Sequence, residues 1–203
     1  MLKKISDGLL AGILISIGGT VFLSCDNKYV GAVLFAVALL CICIKGYSLY
    51  TGKICYMTQK HGKEEFLVLL LGLLGNITAT SVLGYALVYA IPKIGETAFT
   101  MCSAKLEQSF FQTLIRAIFC GILIYLAVDI YRKEKTVVGI IFCIPVFILS
   151  GYEHSIADIF YFAASGIVSL KAVGFICTVI LGNSIGGMLI PAMEMVGGKK
   201  NVR

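Results

Sequence analysis

The chain has 203 residues, of which 59% are hydrophobic and 14% charged, and its mean hydropathy is +0.95. Apolar runs of about 20 residues recur along its length, which excludes a soluble globular domain and predicts an integral membrane protein with little outside the bilayer. The formal net charge of +6 comes in short clusters, Lys3-Lys4, Lys60-His61-Lys63, Arg132-Lys133-Lys135 and Lys199-Lys200-Arg203, a spacing that fits the cytoplasmic ends of membrane helices and not a nucleic-acid surface.

The first span runs from Asp7 to Leu23 behind Lys3 and Lys4. No clear small-residue cleavage site accompanies it, so an uncleaved helix is expected. Gly12, Ser16, Gly18 and Gly19 give it a surface for close helix packing. The second span starts near Val30, stays apolar to Ile44, and then meets Lys45-Gly46-Tyr47-Ser48-Leu49-Tyr50-Thr51-Gly52-Lys53 before Ile54-Cys55-Tyr56-Met57. That is too long and too polar for one plain crossing, and a broken helix lining a cavity is expected.

The third span is Phe66 to Ala90, with Gly75-Asn76 at its middle, and Asn76 is expected to hydrogen-bond to a neighbouring helix. From Pro92 to Gln108 comes the longest polar connection, carrying Lys93, Glu96, Lys105 and Glu107. The fourth span is Phe110 to Tyr131. Arg116 lies about two turns inside it, placed to snorkel or to serve a subunit contact, whereas Asp129 sits at a solvated end beside Arg132-Lys133-Glu134-Lys135.

The fifth span, Val137 to Ala163, is broken by Ser150-Gly151-Tyr152-Glu153-His154-Ser155-Ile156-Ala157-Asp158. An ionisable Glu-His pair in a bilayer-buried segment is costly unless it faces a polar cavity, so function is sought there first. The sixth span begins near Val173 and holds Gly182-Asn183-Ser184-Ile185-Gly186-Gly187, with Pro191 leading toward the polar tail. The cysteines, Cys25, Cys41, Cys43, Cys55, Cys102, Cys120, Cys143 and Cys177, show no CxxC pair or metal-ligand cluster and read as small packing residues. No metal and no cofactor are expected.

Six crossings put both termini on one side, and the placement of Lys and Arg makes that side cytoplasmic. The expected fold is therefore an all-α integral membrane protein with a single transmembrane domain over residues 1–203. Its first repeat covers about 7–90 and its second about 110–191. The break falls in the middle span of each half, and two three-span halves insert in opposite senses. Paired breaks in inverted repeats point to a permeation site at the midplane.

The residues at these places resemble the formate/nitrite transporter family of pentameric anion channels. The resemblance rests on Leu49-Tyr50-Thr51-Gly52, Gly75-Asn76, Arg116 to Cys120, Gly151 to Asp158, and Gly182 to Gly187, in the family's order over nearly the whole chain. It implies an aquaporin-like protomer of six helices, a pore in each protomer, and five protomers around a central opening that does not carry substrate. It also implies transport of small monovalent anions such as formate, nitrite, hydrosulfide or short carboxylates, in a multi-pass protein of the inner, cytoplasmic membrane.

By the same resemblance His154 is the central pore histidine, Thr51 lies opposite it, and Lys105 draws anions in from the outer approach. Three positions depart from the family's common pattern: Lys53 and Gly121 stand where Asn is usual, and Tyr50 where Phe is usual. Gly121 removes an amide that would meet the substrate or brace the breaks, and Lys53 adds a cation. Leu49, Tyr50, Ile156 and Phe175 are candidates for apolar constrictions. Gly52, Lys53, Asn76, Arg116, Gly121, Glu153 and Asn183 are candidates for support, with Glu153 expected to accept free N–H groups or to pair with Arg116 or Lys53.

A bare anion entering a low-dielectric constriction needs compensating positive potential or neutralisation. His154 suits either requirement, as a proton donor to a weak-acid anion or as a fixed hydrogen-bond donor. Two other classes stay open: a membrane enzyme using His154, Glu153 and Asp158, and a non-transporting membrane assembly subunit. The partners expected are small anions, protons, the lipid bilayer and further copies of the chain.

Overall fold

A computed structural model describes residues 2–59 and 62–198. Lys60, His61, Lys199, Lys200 and Arg203, which belong to two of the expected basic clusters, lie outside the described residues. The described chain is all helical: α1 (Leu2–Ser24), α2 (Lys28–Lys45), α3 (Tyr50–Lys53) followed by a 3-10 turn (Ile54–Thr58), α4 (Lys63–Ala90), α5 (Pro92–Leu106), α6 (Phe110–Glu134), α7 (Val138–Leu149), α8 (Ser155–Ser165) and α9 (Leu170–Val196).

Five of these helices, α1, α2, α4, α6 and α9, are long and apolar enough to cross a membrane. The remaining expected crossing is divided between α7, of 12 residues, and α8, of 11. At about 1.5 Å per residue, neither half reaches across the roughly 30 Å of a hydrocarbon core.

Local chemistry sets the ends. Asn27 caps α2 by accepting from the Tyr29 and Val30 N–H groups, and Ser169 caps α9 by accepting from Ala172 N–H. Ser109 and Gln112 form a reciprocal capping box on α6. α2 and α7 both stop at a glycine in the left-handed region, Gly46 at φ 73° and Gly151 at φ 68°. Just past each glycine a tyrosine N–H reaches back to a carbonyl in the last turn, Tyr47 to Ile42 and Tyr152 to Phe147, each at 3.0 Å.

The helices pack in two matching pairs, α1 against α4 and α6 against α9. Both pairings bring backbones together at glycines. A Cβ on Gly12 would fall 2.9 Å from the Asn76 carbonyl oxygen, and one on Gly121 would collide with the carbonyl oxygen of Asn183. α8 is the centre of the bundle: every residue from Ser155 to Ala164 is buried, against α4, α5, α1 and α9. Large apolar side chains such as Val33, Val37, Leu70, Leu74, Phe119 and Phe142 are left on outward faces, as expected where lipid or further protein is the surroundings.

One expectation about local structure is made more specific and another is corrected. The polar connection from Pro92 to Gln108 is itself mostly helix, because Pro92–Leu106 is α5. Proline at its first turn is pre-set for helix, and Ile94, Ala98 and Cys102, spaced four apart, form a buried stripe that seats it on α8. Pro191 does not lead the chain out of the last helix. It is buried within α9, which continues to Val196 and forgoes one backbone hydrogen bond at that point.

Candidate functional site

The two breaks are built alike. In each, a helix resumes four residues after the left-handed glycine, at Tyr50 and at Ser155. The residue just before it is extended, Leu49 at φ −86°, ψ 125° and His154 at φ −113°, ψ 112°. Such segments expose backbone groups that a bilayer cannot satisfy, and a buried asparagine satisfies them in each half.

Asn76 on α4 accepts from Tyr50 N–H at 2.9 Å and donates to the carbonyls of Ser48 (2.9 Å) and Gly8 (2.8 Å). Asn183 on α9 accepts from Ser155 N–H at 2.9 Å and donates to the carbonyls of Glu153 (2.8 Å) and Ala117 (2.8 Å). Each amide thus bonds the carbonyl before its break, the N–H after it, and a carbonyl on the helix packed against its own.

The breaks meet through Thr51 and His154. Thr51 Oγ1 lies 2.9 Å from His154 Nε2, and both residues are buried. His154 is also the N-cap of α8, its Nδ1 accepting from Ala157 N–H at 3.1 Å. An Nδ1 that accepts is unprotonated, so the neutral ring carries its hydrogen on Nε2 and donates to Thr51. The Thr51 hydroxyl hydrogen is then free to donate elsewhere. Phe147 stacks on the imidazole at 5.8 Å between centroids and holds its plane.

Beside His154 sits a buried charged cluster. Lys105, in the last turn of α5, bonds Glu153 Oε2 and lies 3.0 Å from Asp158 Oδ1. Gln108 Nε2 donates to Glu153 Oε1 at 2.7 Å. The Lys105 side chain also lies 6.0 Å from the centre of the Phe175 ring, which packs on Phe162.

Two cavities approach this region. The larger, of about 890 Å³, is lined by Lys105, Gln108, Arg116, Glu153, His154 and Asp158, among others. The smaller, of about 200 Å³, is lined by Leu49, Gly52, Lys53, Tyr56 and Arg132, among others. Arg116 and Arg132 lie toward opposite ends of α6, so the cavities open at opposite ends of the bundle. The Thr51–His154 bond joins the two segments that line them. Arg132 stacks over the Tyr56 ring at 4.2 Å, which leaves two cations, Lys53 and Arg132, lining the smaller cavity.

Several expected placements are revised. Glu153 pairs with Lys105 and Gln108, not with Arg116 or Lys53. The side chain of Arg116 stays in the larger cavity, and that of Lys53 lies in the smaller one at the other end. Lys105 lines the larger cavity, and α5 carries its side chain to two carboxylates there, Glu153 and Asp158.

The Tyr50 hydroxyl lies 2.8 Å from Ser184 Oγ on α9. Ile156 and Phe175 are buried but line neither cavity. Gly121 is a helix-crossing residue: an asparagine there would meet α9 backbone at Asn183 and Gly187, not an open path.

Gln108 was not singled out from the sequence, and Asp158 only as an acid for the enzyme alternative. The visible signal was two carboxylates flanking the histidine with Lys105 as the preceding cation. Only the α5 helix makes that grouping spatial.

Comparison with known proteins agrees with this architecture. Among solved structures, a pentameric formate channel with formate bound superposes with a TM-score of 0.82 at 21% identity, over 96% of each chain. An ion channel of the FNT family superposes with a TM-score of 0.78 at 22% identity, over 98% of this chain and 89% of that one. At those identities the likeness is one of fold. In sequence, the chain is 29% identical over 186 residues to formate-nitrite transporter 2 of Toxoplasma gondii, covering 81% of this chain and 40% of that protein. It therefore spans well under half of that relative's length. It is 24% identical over 149 residues to the formate channel FocA of Haemophilus influenzae, covering 66% of this chain and 52% of that protein.

A family profile described as formate/nitrite transporter matches residues 1–196, and the chain therefore belongs to the formate/nitrite transporter family, whose members similar to it are transporters and channels and not enzymes.

Proposed function

We propose that the protein conducts small monovalent weak-acid anions, with formate, nitrite, hydrosulfide and short carboxylates as the class, through a pore in each protomer of a homopentamer. In this reading α2–α3 and α7–α8 are the two broken crossings among six, and the two three-span halves insert in opposite senses in the cytoplasmic membrane. Both chain ends are cytoplasmic, and the smaller cavity, with Lys53 and Arg132 beside Lys133 and Lys135, opens on that side.

One observation carries the reading: segments that line cavities at opposite ends of the bundle meet in the hydrogen bond that His154 donates to Thr51. An anion reaching that contact finds hydrogen-bond donors in place of water. Nε2–H of His154 and the hydroxyl of Thr51 are two. The Thr51 and Ile156 N–H groups, each next after an asparagine-held N–H, have no acceptor among the described residues and supply two more. Donors fixed in a water-poor site stabilise a small anion without reorganising. The apolar walls around them exclude larger ions, whose hydration cannot be replaced there.

The same geometry favours one of the two roles open to His154. Neutral imidazole with its only hydrogen on Nε2 donates a hydrogen bond and is no acid. Becoming an imidazolium would require a hydrogen on Nδ1 and the loss of the bond that caps α8. His154 is therefore a fixed donor in the resting pore.

Reconstitution tests the proposal. Proteoliposomes holding an outward gradient of formate, nitrite or hydrosulfide release the anion faster than empty liposomes, and sulfate is retained. Release of none of the monovalent anions would leave a non-transporting membrane subunit as the reading.

A further inference from the structure

The cluster beside the pore contact holds more negative charge than positive. Among the described residues Lys105 is the one cation paired with Glu153 and Asp158, and burial is nearly complete: the lysine side chain is 14% exposed and each carboxylate 2%. Arg116 lines the same cavity but forms no ion pair with either acid among the described residues. The two acids are not equivalent. Both Glu153 oxygens are occupied, by Lys105 and by Gln108, whereas Asp158 Oδ2 is buried with no partner.

With both acids ionised, the group would carry one uncompensated negative charge in a low-dielectric wall. An unpaired buried charge is strongly destabilising, and this one would also repel the anion being conducted. One bound proton removes both penalties, and the unfilled position is Asp158 Oδ2.

We infer that Asp158 carries a proton in the conducting protein, so that Lys105, Glu153 and Asp158 are together neutral, and that loss of this proton bars anions from the larger cavity. The balance is a simple one: the Asp158 carboxylate takes one proton from water in the cavity that all three residues line, and returns it there. The inference rests on the anion-channel reading. It makes Asp158 a residue that sets when anions enter, separate from the hydrogen-bond donors Thr51 and His154.

The other ionisable groups around Asp158 are few. α5 contributes Lys105 and Cys102, α6 contributes Cys120, the break contributes Glu153 and His154, and α8 itself contributes Tyr161. No hydrogen bond or ion pair from α1, α3, α4 or α9 reaches the Asp158 side chain among the described residues. The sign follows. Rising pH strips the proton, leaves a net negative cluster and lowers anion flux; falling pH restores it.

The test uses the whole protein in liposomes and has two readouts. In infrared spectra the wild type shows a carboxylic-acid C=O band at neutral pH that fades on alkalinisation, and Asp158→Asn lacks it. In flux assays with formate, wild-type flux drops at least about tenfold as the side facing the larger cavity is made alkaline, while Asp158→Asn keeps conducting there, as expected for a charge barrier of about 1.4 kcal/mol or more.

Absence of any acid band assigned to Asp158, or identical pH profiles for the two proteins, overturns the inference. So does flux that requires sodium in place of acid, which would put a metal cation at Oδ2. If neither protein conducts any anion, the channel reading fails, and the infrared band still decides whether Asp158 holds the proton.

Discussion

Asn76 and Asn183 show how single side chains satisfy the backbone where one helix stops and the next resumes inside the bundle. Each satisfies one N–H and two carbonyls, groups that have no water to turn to. Asn183→Ala leaves Ser155 N–H and the Glu153 carbonyl unmet and removes the second bond to the helical Ala117 carbonyl. The expected loss is about 1–3 kcal/mol, read as a lower melting temperature of the purified protein. Asn76→Ala is expected to lose a similar amount, because its bonds are the same in kind and number. A loss for one and none for the other would contradict the equivalence of the two breaks.

His154 is constrained twice, by Thr51 on one nitrogen and by Ala157 on the other. His154→Ala therefore removes a helix cap along with the proposed pore donor, at about 0.5–2 kcal/mol for the cap alone. His154→Asn offers an oxygen to the Ala157 N–H, so it is expected to melt closer to the wild type than His154→Ala does. Equal melting temperatures for the two variants would show that the cap contributes little.

At the scale of elements, the glycine crossings decide how closely α6 and α9 approach. Gly121 lies against the Asn183 and Gly187 backbone, and a Cβ on Gly186 would collide with the Ile118 carbonyl. Gly121→Asn is therefore expected to force these helices apart and to cost about 1–3 kcal/mol or more. The outcome is measurable as a lower melting temperature and reduced yield of folded protein. A variant as stable as the wild type would mean that the amide finds room toward the cavities.

The sequence carried much of this, for physical reasons. Long apolar runs, Gly46 and Gly151, and the Glu153-His154 pair are local signals, and each marks a helix or its end. Asn76 and Asn183 were legible as polar groups that must find partners inside a bilayer. The role of α5 was harder to see, because its buried stripe of Ile94, Ala98 and Cys102 is interleaved with Lys93, Glu96 and Lys105. Read linearly, that pattern is polar, and the charges of Lys105, Glu153 and Asp158 seem unrelated. Their grouping depends on how α5 lies on α8, which no local pattern encodes.

For the whole molecule, two similarly built segments meet at one contact, Thr51 with His154. Their chemistry differs. The segment with Leu49 and Thr51 is apolar and hydroxylic, whereas the segment with Glu153, His154 and Asp158 carries the ionisable groups. The ends differ too: among the described residues the smaller cavity is lined by Lys53 and Arg132 with no acid, whereas the larger is lined by cations and acids together, Lys105, Arg116, Glu153 and Asp158 among them. Membership of the formate/nitrite transporter family fits a protein of this build, and the proposed path runs from one cavity to the other through Thr51 and His154.

The most direct measurement of that path is formate flux from proteoliposomes containing wild-type, Thr51→Val or His154→Ala protein at equal amounts, with folding of each verified by melting. Valine keeps the shape of Thr51 and removes only the hydroxyl. Each variant is expected to lose at least about tenfold in flux, the equivalent of one charge-assisted hydrogen bond lost on the proposed path. Wild-type flux through both folded variants would contradict it and place the anion's route elsewhere in the bundle.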